Sequence, residues 1–320
     1  MEPEGDSSSR RKTWRELLMR AAGALLALVC VGYVTCRAIA SADALERDFL
    51  TPSFIAAIAA AGFVYAWLGV WIGLAWYCLL VATRQAHLSM LQAVTIFGRA
   101  QLLKYLPSNL LHYVGRHAAA YRLGGAPHGA LVWSSIAEAV LVTTAAAAVT
   151  GLFAQSLLAR ALGELYSPLW LRVLLPALAI AALVVATAYL LARSAEAKAK
   201  SLASLAKGTS IACGLYVLFF FANGALLAGL VEALPGEVSA PPLMLAGVVS
   251  LAWFAGFIVP GAPAGIGIRD FVLTLGLEEA GLGSAALSIA LAYRIVTLLG
   301  DLLLAPASFA VATHWPARPN

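Results

Sequence analysis

Long, nearly uninterrupted apolar runs decide what this chain can fold into. Stretches such as Phe54–Ala82 and Gly129–Phe153 carry 20 or more mostly apolar residues in succession, and a helix of roughly 20 residues crosses a hydrocarbon core. In lipid, only helices and closed barrels satisfy their own backbone groups. Barrel strands alternate polar and apolar residues over about 10 positions, whereas these runs are continuous and rich in Leu and Ala. The expected fold is therefore an all-α polytopic membrane protein. Composition excludes a soluble enzyme: 62% of residues are hydrophobic and 12% charged, against roughly half and a quarter in soluble domains.

Seven spans are expected, at about Leu17–Ile39, Phe54–Ala82, Gly129–Phe153, Leu169–Ala192, Thr209–Val231, Leu243–Val259 and Ser284–Thr313. They make one integral-membrane domain over residues 17–313, between a disordered cytoplasmic tail (1–16) and a C-terminal tail (314–320). The first run is too long for a signal-peptide core and lacks a clear small-residue cleavage site, so it reads as a membrane helix. Fourteen Lys and Arg residues fall in residues 1–20, 84–128 and 193–207, while the opposite connections are balanced or acidic. Positive charge marks the cytoplasmic side, which places the N-terminus inside.

Two further segments are too polar to span simply and too apolar for ordinary loops: residues 89–123 and 260–280. If either crossed fully, the count would be eight and the C-terminus would change sides. Each reads as a re-entrant or broken helix, which membrane depth tolerates only where it lines protein or a watery cavity. Each is flanked by full spans, and that order points to an internal repeat.

In the first of these, Pro107 stops one helix and Ser108 or Asn109 can cap the next. Asn109, His112 and Arg116 then stand at i, i+3 and i+7, on one helix face. A guanidinium, an imidazole and an amide near a helix N-terminus suit a phosphate. Lys104 belongs to the same headgroup-binding set. The plainer alternative makes Lys104, Arg116 and Arg122 snorkelling interface anchors. In the second segment Gly265 and Gly267 permit a tight turn after the prolines, and Arg269 and Asp270 enter the first turn of the next helix. Asp270 suits that helix N-terminus, Arg269 can pair with Asp270 or with a ligand, and both are counted in the headgroup-binding set.

Two sets of charges lie deep in full spans. Glu138 is about nine residues into its run, near the membrane middle at 1.5 Å per residue, with Ser134 and Ser135 beside it. Arg294, Thr297 and Asp301 again share one face at i, i+3 and i+7. Buried intramembrane charge is costly unless partnered. The simplest inference pairs Glu138 with Arg294 across the bundle, as structural glue or as part of a coupling path.

No metal site and no cofactor are expected. His112 and His117 occupy different helix faces, and His87, His128 and His314 sit at boundaries. Cys30, Cys36, Cys78 and Cys213 form no CxxC pair and read as small core residues. Trp67, Trp71, Trp76 and Trp170 read as core or interfacial belt. No nucleophile–base arrangement is visible.

Three motifs stand in order: Lys104-Tyr105-Leu106-Pro107-Ser108-Asn109 leading to Gly115-Arg116; Ala264-Gly265-Ile266-Gly267-Ile268-Arg269-Asp270; and Tyr293-Arg294. Together they resemble the signatures of the lysylphosphatidylglycerol synthase transmembrane family, over about residues 17–313. The departures are mild: Pro-Ser-Asn replaces the usual Pro-Gly-Asn, and Ala-Gly-Ile-Gly-Ile-Arg-Asp replaces Gly-Gly-x-Gly-x-Arg-Glu. The resemblance implies lipid translocation, with two broken helices meeting mid-membrane, Arg116 and Arg269 receiving a headgroup, and Glu138 and Arg294 bridging the bundle. No residues remain after the last span for the family's aminoacyl-transferase domain, so a transporter rather than an enzyme is expected.

The function expected is a flippase moving an anionic or zwitterionic lipid, or a lipid-linked intermediate, between leaflets of the bacterial inner membrane. Its partners would be membrane lipids (phospholipid, hopanoid or polyprenyl-phosphate-linked), with no nucleic acid. A second copy of the chain or a lipid-biosynthesis enzyme is the protein partner left open. Two rival readings are a glycosyltransferase using a polyprenyl-linked donor, resting on Asp43, Glu46 and Asp48 in one outer loop, and a non-catalytic assembly subunit.

Overall fold

A computed structural model describes residues 5–83, 86–106, 111–124, 126–162, 199–234, 240–259 and 262–312. Every regular element among them is helical. The chain runs through α1 (Gly5–Ala40), α2 (Ala42–Phe49), α3 (Pro52–Ala82), α4 (Met90–Ala100), α5 (Leu111–Gly124), α6 (His128–Phe153) and α7 (Gln155–Leu162). It continues through α8 (Ala199–Ala233), α9 (Pro242–Ile258), α10 (Ile268–Leu277) and α11 (Ala285–Ala312).

Among the described residues, five helices are long and apolar enough to cross a membrane: Ala21–Ala40 within α1, α3, α6, Ala203–Ala233 within α8, and α11. The chain is thus a multi-pass helical membrane protein. Two of the seven expected spans are not among these five. Leu243–Val259 becomes α9, whose 17 residues rise about 26 Å, at the lower limit for a crossing. Leu169–Ala192 lies outside the described residues. The tail expected to be disordered is instead helical from Gly5 onward; its Arg, Lys and Glu residues are good helix formers and extend the first span.

The bundle is apolar inside and out, as lipid requires. Phe63, Trp67 and Leu28 face outward, each at least 60% exposed. Inside, α3 packs on α8 and α11, and α9 packs on α6, α8 and α10. Lipid tails are as apolar as Leu, so these contacts depend on close fit. Small residues supply it: a Cβ at Gly300 would meet the Ala66 amide at 2.9 Å, and one at Gly224 would meet the Ala246 backbone at 2.7 Å. Of the cysteines, Cys30 is buried, Cys78 and Cys213 are half-buried, and Cys36 is exposed, against the expected core position. It sits on the outward side of α1, where a small apolar thiol is equally at home.

Both broken segments are present. Ser89 opens α4 with a reciprocal cap: its Oγ accepts from the Gln92 amide at 3.2 Å, and Gln92 Oε1 accepts from the Ser89 amide at 3.0 Å. α4 then tightens into a 3-10 turn, Gln101–Tyr105, before the chain resumes as α5. The second segment leaves α9, makes a 3-10 turn over Pro263–Gly265, and restarts as α10. Ala264, Gly265 and Gly267 all have positive φ, at 50°, 69° and 82°. At Gly267 the demand is double, because a Cβ would lie 2.6 Å from the Ala27 carbonyl of α1. The two 3-10 turns touch each other, so the breaks meet. The order long helix, break, long helix occurs twice, as α3 to α6 and as α9 to α11.

Candidate functional site

A cavity of about 140 Å3 lies where the breaks meet. The first broken segment contributes Lys104 and His112 to its wall, the second Gly265 and Arg269, and α11 contributes Arg294 and Asp301. Thr297 lines it as well, so the polar stripe read along α11 at i, i+3 and i+7 does face one space. By size the cavity holds roughly ten waters or a polar group of similar bulk.

Its carboxylates are already engaged. Glu138 takes both prongs of Arg116, with Nη1 donating to Oε1 at 3.1 Å and Nη2 donating to Oε2. The expected Glu138–Arg294 pair is therefore not formed. The reason is local: α5 and α6 are joined by a very short connection, and Pro127 stands eleven residues from each partner of this 22-residue separation. Two antiparallel helices folded there place Arg116 and Glu138 level. Arg116 is 1% exposed, with its guanidinium 4.5 Å from the Trp76 ring, 5.0 Å from Tyr113 and 5.3 Å from Phe97. It is thus committed to structure and does not stand free for a headgroup. Ser134 and Ser135 do not assist Glu138; both hydroxyls donate to the Leu131 carbonyl, and Ser134 also accepts from Trp76 Nε1 at 3.2 Å.

Asp301 is engaged in the same way. Lys104 Nζ lies 2.7 Å from Asp301 Oδ2, and the Tyr105 hydroxyl donates to the same oxygen at 2.5 Å. Burial, together with this carboxylate, pushes the Tyr105 hydroxyl up, which keeps it a donor.

What remains is a surplus of positive charge. Among the described residues neither Arg269 nor Arg294 has a carboxylate partner. Arg269 Nε is buried without a hydrogen-bond partner, and Arg294 Nη1 reaches the Ala264 carbonyl only at 3.5 Å, beyond the usual range for such a bond. Asp270 does not compensate Arg269. Its Oδ2 accepts from the Gly267 amide at 3.1 Å and closes the start of α10, the helix-terminal role its position suggested, and it does not line the cavity. His112 does, with Nδ1 buried and unpartnered. Burial, then Arg116 and Lys104, push its imidazole down to about 3, so it is neutral. Pro107 and Asn109 lie outside the described residues.

Comparison with protein families and with curated proteins returns no match. The chemistry must speak from the residues alone. Two guanidiniums without a carboxylate partner among the described residues face one space bounded by apolar helices.

Three features escaped the sequence reading. Trp76 is a platform for Arg116, Tyr105 holds Asp301, and Tyr216 lines the cavity with a buried, unpartnered hydroxyl. Each is an aromatic inside or beside an apolar run, indistinguishable there from ordinary core. Away from the cavity, His117 Nε2 lies 2.8 Å from His128 Nδ1, with Tyr121 stacked on His128 at 4.2 Å. Among the described residues no group of three or more His, Cys, Asp or Glu is close enough to hold a metal.

Proposed function

We propose that this chain is a lipid translocase that carries an anionic or zwitterionic headgroup through the bundle while the acyl tails stay in lipid. The observation that carries the reading is the uncompensated pair Arg269 and Arg294, set in a headgroup-sized cavity between two broken helices. Both side chains are half-buried, and holding two part-desolvated guanidiniums without counter-charge is unfavourable, which an anionic ligand offsets. The three-motif resemblance to the lysylphosphatidylglycerol synthase transmembrane family points the same way. The setting that fits is a bacterial inner membrane, with the lysine- and arginine-rich connections cytoplasmic.

The acidic residues that a polyprenyl-dependent transferase would use give it no help here. Asp43, Glu46 and Asp48 belong to α2, and none lines the cavity; Asp48 Oδ2 accepts from the Ser288 hydroxyl at 2.5 Å.

The test is transbilayer movement of headgroup-labelled phospholipid in proteoliposomes. Wild-type protein is expected to move the label across, and Arg269→Gln with Arg294→Gln to reduce the rate at least tenfold. Equal rates in wild type, double variant and protein-free vesicles would overturn the proposal.

A further inference from the structure

The walls of the cavity differ in what they leave unsatisfied, and the difference narrows the class of headgroup. On the cationic side Arg269 and Arg294 await negative charge. A phosphodiester supplies it, and guanidinium forks match phosphate oxygens in pairs.

An ammonium group meets the opposite situation. Both lining carboxylates are occupied, Glu138 by the two prongs of Arg116 and Asp301 by Lys104 and Tyr105. To bind either one, an amine would have to displace a buried cation, and the net charge around it would remain positive. A zwitterionic headgroup therefore gains its phosphate contact and then meets repulsion.

The neutral polar atoms complete the picture. Tyr216 is fully buried, and its hydroxyl has no protein partner; His112 Nδ1 is buried without one as well. Both residues line the cavity. A buried polar atom left unpaired is unfavourable, and a ligand hydroxyl relieves this on binding, since it can donate to one atom and accept from another.

From this charge balance, and resting on the cavity being a headgroup site, we infer that it takes a phosphodiester headgroup bearing hydroxyls and no amine. Phosphate sits between Arg269 and Arg294, and the hydroxyls reach Tyr216 and His112. Specificity against amines comes from the prior engagement of Glu138 and Asp301, as a site rejects a ligand whose charge it cannot pair.

Binding of short-chain lipids to the purified full-length chain in detergent tests this. The probes are dihexanoyl forms of phosphatidylglycerol, phosphatidic acid, phosphatidylethanolamine and an aminoacylated phosphatidylglycerol, with glycerophosphoglycerol as the chain-free control. Phosphatidylglycerol is expected to bind at least tenfold tighter than either amine-bearing lipid. Tyr216→Phe, a near-isosteric change, is expected to weaken phosphatidylglycerol three- to tenfold and leave phosphatidic acid unchanged, which also shows that the variant is folded. Amine-bearing lipids binding as well as phosphatidylglycerol would overturn the inference while leaving a headgroup site in place. Glycerophosphoglycerol binding as tightly as the lipid would assign the site to a soluble phosphodiester. Phosphatidylglycerol binding equally to wild type and to Arg269→Gln/Arg294→Gln would overturn the headgroup-site reading on which the inference rests.

Discussion

Arg116 and Glu138 form a two-pronged ion pair across the turn between α5 and α6, with Trp76 covering the guanidinium face. The pair ties a broken helix to a full span and sits against the wall of the cavity. Because Arg116 is engaged there, the cavity cations without a carboxylate partner among the described residues are Arg269 and Arg294.

The first prediction concerns that pair. Removing one partner, as in Arg116→Met or Glu138→Leu, leaves a buried group unmatched and is expected to cost about 3–5 kcal/mol. Replacing both, as in Arg116→Met with Glu138→Leu, is expected to recover most of the loss. Denaturant unfolding of the four proteins in one detergent measures the coupling. Additive losses would show that the two side chains do not hold each other.

Much of this was legible in the sequence, and the limit is physical. The long apolar runs fix membrane helices by length alone, and Pro and Gly fix the breaks through φ. The stripe Arg294, Thr297 and Asp301 follows from helical periodicity, and all three residues line the cavity. Pairing between charges is different, because it depends on the depth at which two helices meet. For Arg116 and Glu138 a signal did exist, in their equal distance from Pro127. For Lys104 and Asp301, 197 residues apart, no such symmetry exists, and only the packing of α4 on α11 brings them together.

The second prediction separates the Lys104–Asp301 pair from the free arginines. Tyr105→Phe removes one hydrogen bond to a carboxylate and is expected to cost about 1.5–3 kcal/mol in stability, without altering which headgroup binds. Lys104→Met leaves Arg269 and Arg294 in place, so anionic lipid binding is expected to fall less than tenfold, against more than tenfold for Arg294→Gln. Isothermal titration with short-chain phosphatidylglycerol ranks them. The reverse order would make Lys104 the main anion ligand.

A third prediction uses backbone geometry. Gly267 has φ of 82° and lies against the Ala27 carbonyl, so Gly267→Ala combines left-handed strain of roughly 1–2 kcal/mol with a clash against α1. It is expected to lower Tm and to weaken headgroup binding, because Arg269 stands two residues on. Gly214→Ala, in a helix where a Cβ meets nothing within 4 Å, is expected to be neutral or stabilising by up to about 1 kcal/mol. Equal Tm values for the two variants would contradict the close approach of α1 to the second break.

The fourth prediction concerns pH. His112 is pushed down to about 3 by burial, then by Arg116 and Lys104, whereas an unfolded imidazole titrates near 6.5. Between those values the unfolded chain binds a proton that the folded chain does not, so stability falls as pH drops below about 6.5. At pH 5 the loss from this residue is about 2 kcal/mol, at 1.36 kcal/mol for each pH unit. Unfolding measured from pH 7.5 to 5 is expected to show this slope in wild type and a shallower one in His112→Gln. An anion seated between Arg269 and Arg294 partly cancels the positive field around the imidazole, so bound phosphatidylglycerol is expected to flatten the wild-type slope as well. A slope unchanged by the substitution would mean that His112 titrates as an ordinary exposed histidine, and the cavity would then be wetter and less positive than its lining residues require.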